Sequence, residues 1–152
     1  MEEVREKYDP LYSVIPPHIT LVFPFESDIS TLELKEHVHD SLREISPFTL
    51  RLQGVTGSGG EYLFLNVKQG NDEIIRIHDL LYTGILKEYY FREVSFIPHI
   101  TIGRLQSKKD FRQALLQTSK FDSTFETKIN SICCEVIAND DQSEPEFWFH
   151  FE

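Results

Sequence analysis

Apolar residues recur along this chain with two distinct periods. Leu34, Val38, Leu42 and Ile45 form the stripe of an amphipathic helix. Ser30 with Glu33 three residues on is the capping-box pattern that would start it. Ile74, Ile77, Leu81 and Ile85 hold the same helical phase and predict a second helix over 72–89. Over 47–56 the period changes to two. Phe48, Leu50 and Leu52 alternate with Thr49, Arg51 and Gln53, which predicts a strand, joined across Gly57-Ser58-Gly59-Gly60 to another over 61–68. Residues 18–25 are rich in β-branched and aromatic side chains and read as a strand. Further strands are expected near 96–105, 123–137 and 145–151, with helices at 2–8 and 107–118. Mixed elements with short connections give an α+β fold.

One internal echo suggests the topology. Ser13-Val14-Ile15-Pro16-Pro17-His18-Ile19-Thr20-Leu21 returns as Ser95-Phe96-Ile97-Pro98-His99-Ile100-Thr101-Ile102, one residue shorter and 81 positions later. Similar strands half a chain apart, each flanked by helical and hairpin segments, point to a duplicated half-domain. Two such lobes would place equivalent residues across a shared cleft.

Composition adds limits. The chain has 152 residues, enough for one domain with two small lobes. No apolar run reaches the roughly 20 residues of a membrane span, and no signal peptide opens the chain. Cys133 and Cys134 are adjacent and form no disulfide framework, which suits a cytoplasmic protein. The net charge is −10, which argues against gripping long duplexes by phosphate neutralisation. Of 25 acidic residues, six lie after Lys128 with no Lys or Arg among them, leaving 19 acids against all 15 bases before them. A local site for one phosphate remains compatible with that balance.

The echoed segments also carry the candidate chemistry. On a strand, His18 and Thr20 would share one face, and His99 and Thr101 another, with Ile19, Leu21, Ile100 and Ile102 turned to the core. Histidine titrates near neutral pH, so one imidazole can act as general base and the other as general acid. Each threonine hydroxyl can donate to a nonbridging phosphate oxygen. A single His-x-Thr carries little information; two in matching Ile-Pro-(Pro)-His-Ile-Thr contexts carry much more.

On these residues the chain resembles the two-histidine (2H) phosphoesterase superfamily, which includes bacterial 2′-5′ RNA ligases and RNA 2′,3′-cyclic phosphodiesterases. The segment from Tyr8 to His18 is similar to a bacterial subgroup of it. The resemblance implies a bilobal, pseudo-two-fold arrangement of duplicated antiparallel sheets, flanked by helices, around a central cleft. It implies one two-lobed domain over 1–152, with His18, Thr20, His99 and Thr101 as catalytic residues. It also implies an enzyme without cofactor or metal that opens 2′,3′-cyclic or 2′-5′ phosphodiesters of a small cyclic nucleotide or an RNA terminus. The family usually opens with a strand ahead of the first helix, and Met1 falls where that helix should be, so the expectation is that this strand is lacking.

Other side chains are weaker candidates for binding substrate. The family often has a basic residue at Arg104, but regular alternation turns Arg104 away from His99, toward a structural or rim role. Tyr62, Phe64 and Tyr12 could stack a nucleobase, with packing as the ordinary alternative. Phe23 and Phe25 read as core. His37 and His39 are i and i+2 on a helix, cannot share a metal, and are expected to face solvent. His78 is expected at a packing boundary, and His150 in a structural or exposed position. The glycine turn is followed by a strand and lacks phosphate-loop context. No Cys/His cluster has zinc spacing. Two other readings stay open: a nonenzymatic module that binds nucleotides or RNA ends, and a metal-dependent hydrolase with His18 and His99 as ligands.

Overall fold

A computed structural model describes residues 1–137 and 142–152. The chain forms α1 (Glu2–Tyr8), α2 (Thr31–Leu42), β1 (Phe48–Ser58), β2 (Tyr62–Gln69) and α3 (Asn71–Leu81). A 3₁₀ helix (Gly84–Tyr89), β3 (His99–Arg104), α4 (Lys108–Gln117), β4 (Phe125–Ile129), β5 (Ser131–Ile137) and β6 (Ser143–His150) follow. Asp140 and Asp141 of the acidic tail lie outside the described residues. Among the described residues no helix is long and apolar enough to cross a membrane.

The elements gather into two compact units. The first contains Met1–Thr20, Leu50–Gln69 and Pro98–Thr127; the second contains Leu21–Thr49, Gly70–Ile97 and Lys128–Glu152. The first unit is built on a four-stranded sheet in the order β3-β2-β1-β4, with β1 antiparallel to β2 and β2 to β3. One face is apolar: Leu52, Leu63, Leu65, Val67, Ile100 and Ile102 are all buried. Their alternation with polar or half-buried neighbours gives these strands a core side and an open side. The second unit packs α2 and α3 with the antiparallel pair β5-β6, around Val38, Leu42, Ile45, Ile77, Leu81 and Phe151.

The helix starting at Thr31 is capped as its sequence predicts. Ser30 Oγ accepts from the Glu33 N–H at 3.3 Å, and the Glu33 carboxylate accepts from the Ser30 N–H at 2.9 Å. Hydrogen bonds from the Ser30 side chain and backbone hold the Glu33 carboxyl below its ordinary value.

Three expectations need correction. The helix expected over 72–89 ends at Leu81, because Thr83 is extended and Gly84 sits at φ +49 before the 3₁₀ helix begins. That break resets the phase, so Leu86 is buried while Ile85 is 40% exposed. A side chain at Gly84 would also meet the His37 ring at 3.3 Å, so glycine suits the turn twice over. Second, His37 does not simply face solvent: its Nε2 lies 2.9 Å from the Leu81 carbonyl and donates to the C-terminal end of α3. Third, residues 18–25 form no strand. The backbone just after Thr20 is held by side chains instead of a ladder. The fully buried His78 has Nδ1 2.7 Å from the Leu21 carbonyl, and the Phe23 N–H donates to the Tyr82 hydroxyl at 2.9 Å. Both residues come from α3 and its C-cap.

Candidate active site

The second His-x-Thr lies on β3, the terminal strand of the four-stranded sheet. Its apolar partners behave as the alternation requires: Ile100 and Ile102 are buried, whereas His99 and Thr101 are half-buried on the other face. That face is shared with β2. Asn66 pairs with His99 and Phe64 with Thr101. The Phe64 ring lies flat against the His99 imidazole, with centroids 3.5 Å apart and planes 24° apart. Tyr62 continues the row, stacked 6.3 Å from Phe64 at 28°. Asn66 is fixed by β1: its Nδ2 donates to the Gly54 carbonyl and its Oδ1 accepts from Thr56 Oγ1, both at 2.9 Å.

Arg104 corrects the simple pleat argument. The register slips between Leu63 and Phe64, so that Leu63 pairs with Gly103 and Tyr62 with Arg104. One extra residue on β3 restores Arg104 to the face of Tyr62, Phe64 and His99. Its Nε is buried and lies 3.5 Å from the Asp9 carboxylate, without the geometry of a hydrogen bond. Arg104 therefore stands between the motif face and a buried acid.

The first motif is approached through a polar clasp. Arg5 on α1 and Asp9 just beyond it are both buried. Arg5 donates twice to one Asp9 oxygen, at 3.2 and 3.1 Å, and once to the Ile15 carbonyl at 2.7 Å. The other Asp9 oxygen accepts from the Leu11 N–H at 3.1 Å. These bonds fix the turn that delivers Pro16, Pro17 and His18. Tyr12, a stacking candidate, has its ring under the Arg5 guanidinium at 5.6 Å and belongs to the same clasp. The i, i+4 spacing of Arg5 and Asp9 was a readable sign of an ion pair; its burial was not.

His18 is exposed and Thr20 half-buried. His18 Nδ1 lies 3.0 Å from the Pro16 carbonyl, an acceptor only, so Nδ1 carries a proton. Both motifs belong to the first unit, whose boundaries fall after Thr20 and before Pro98, and not one to each unit. Among the described residues, no group of three or more His, Cys, Asp or Glu is placed to hold a metal ion. Of the other histidines, His78 is buried against Phe96, and exposed His39 pairs with Asp40 at 3.1 Å. Phe23 packs on Phe91 and Phe25 on Tyr89.

The α+β fold of this chain is one found in solved structures. The chain is similar to Escherichia coli LigT complexed with 3′-AMP, with a TM-score of 0.62, 17% identity and coverage of 99% of this chain and 92% of that one. It is also similar to the TT0787 protein of Thermus thermophilus, with a TM-score of 0.66, 16% identity and coverage of 98% and 88%. The family model described as the 2′-5′ RNA ligase superfamily matches residues 1–141, and the chain belongs to that family. Relatives named "Putative phosphoesterase" include one from Geobacillus thermodenitrificans, 32% identical over 129 residues, covering 80% of this chain and 73% of the relative. Another, from Bacillus mycoides, is 32% identical over 131 residues, covering 84% and 74%. Membership of this family supports an enzymatic role for the chain.

Proposed function

We propose that the chain is a metal-independent phosphodiesterase that uses His18 and His99 as an acid–base pair and Thr20 and Thr101 as phosphate donors. The observation that carries the reading is the side-by-side placement of His99 and Thr101 on the open face of β3, with His18 and Thr20 in the same unit. The substrate class is a 2′,3′-cyclic nucleotide or an RNA end bearing such a group; 2′-5′ linkages are phosphodiesters open to the same acid–base chemistry. LigT, solved with 3′-AMP and with NADP+, supports a small nucleotide ligand. A net charge of −10 fits a single phosphodiester better than a long duplex. The adjacent free thiols Cys133 and Cys134 fit a cytoplasmic setting.

In this mechanism a neutral imidazole takes a proton from water as its oxygen attacks phosphorus. The bond from phosphorus to the 3′ oxygen breaks, and the second imidazole, protonated, gives its proton to that oxygen, leaving a 2′-phosphate. Each proton transfer is worth roughly 10²–10⁴-fold. At His18 the reacting nitrogen is Nε2, since Nδ1 is engaged by Pro16. The threonine hydroxyls donate to the two nonbridging oxygens as charge grows on them.

The test is product analysis on 2′,3′-cyclic mononucleotides and on a short RNA with a cyclic-phosphate end, in EDTA. The expected outcome is undiminished turnover to the 2′-phosphate. Tight binding with no product would favour a binding module, and loss of turnover in EDTA would favour a metal-dependent hydrolase; either would overturn the proposal.

A further inference from the structure

We infer that Phe64 is a positioning residue for the reaction: its ring holds the His99 imidazole in one plane. This rests on the acid–base role proposed for His99.

Four features carry it. Phe64 is not a core residue, because its strand neighbours Leu63 and Leu65 point the other way and are fully buried. Its ring meets His99 at 3.5 Å and 24°, a face-to-face contact made through the imidazole plane and not through its nitrogens. The register sets Phe64 directly opposite Thr101, so one side chain borders both members of the motif. Tyr62 lies behind Phe64, 6.3 Å away at 28°, and Asn66 opposite His99 is tied twice to β1.

An imidazole on a strand has two soft torsions, and its last one is broad. A flat ring against one face confines that torsion to two related orientations. Misplacement of a reacting group by about 1 Å can cost about 10²-fold in rate, so a ring that prevents it affects turnover more than binding. The contact also removes Phe64 as a platform for a nucleobase on the side that His99 covers.

Three variants test this: Phe64→Leu, Phe64→Met and Phe64→Tyr. Phe64→Leu should lower kcat for a 2′,3′-cyclic nucleotide by about 10-fold to 10²-fold with KM within about twofold, the pattern of lost transition-state positioning. Phe64→Tyr should restore kcat. Independently of activity, the His99 ring protons should resonate upfield in the wild type and in Phe64→Tyr, and move downfield in Phe64→Leu. Phe64→Met keeps most of the volume and carries the same expectations should Phe64→Leu fail to fold. An active wild type whose Phe64→Leu and Phe64→Met variants keep kcat while the upfield shift is lost would overturn the inference and leave the proposed function standing. A wild type with the upfield shift but no turnover of any phosphodiester would overturn both.

Discussion

Arg5 and Asp9 show how much one buried pair can organise. Two charges removed from water are tolerated only when nearly every polar atom finds a partner. Here Arg5 reaches Asp9 and the Ile15 carbonyl, while Asp9 also takes the Leu11 N–H and faces Arg104. The result is a fixed lead into His18. Cys134 shows the opposite use of burial. Partial burial and the neighbouring Glu146 carboxylate push its thiol up to about 11, and burial with the Glu135 charge raises Cys133 as well. Cys134 therefore favours the folded state fully below the ordinary thiol value of 9.0, and that contribution is lost as pH rises through about 11. In a Cys133→Ser background at pH 8, Cys134 of the folded protein should alkylate about 10²-fold more slowly than in urea, since the thiolate is the nucleophile. Equal rates in both states would contradict this environment.

The elements differ in how far they could be read in advance. Helix α2 was legible because a 3.6-residue stripe and a capping box are local signals, and the β1–β2 hairpin because alternation and glycines are. Three things were not legible, each for the same reason: the deciding contact is distant in sequence. Residues 18–25 have strand composition, yet His78 and Tyr82, some 57 and 59 residues away, take up Leu21 and Phe23. Arg104 changes face because of an extra residue in β3, which only the pairing with β2 reveals. The Phe64–His99 stack depends on the same register. The hold of α3 on the segment after Thr20 can be measured. His78→Ala leaves the Leu21 carbonyl without its donor and a void against Phe96, so stability in urea should fall by about 3 kcal/mol. His78→Asn, which can still donate, should recover part of it. A loss under about 0.5 kcal/mol would show that this bond does not hold the segment.

At the scale of the molecule, family and fold are shown, and the paired motifs that suggested them sit in one compact unit. More than half of the net negative charge lies after Lys128, away in sequence from both motifs. What the whole assembly is proposed to do depends on two imidazoles of complementary protonation, and that claim has a direct test. The pH dependence of kcat/KM for a 2′,3′-cyclic nucleotide should be measured for the wild type, His18→Ala and His99→Ala. The account predicts a bell-shaped wild-type profile, at least about 10²-fold lower activity in each variant, and loss of one limb of the bell in each. Near wild-type activity in either variant, or an unchanged bell, would contradict it.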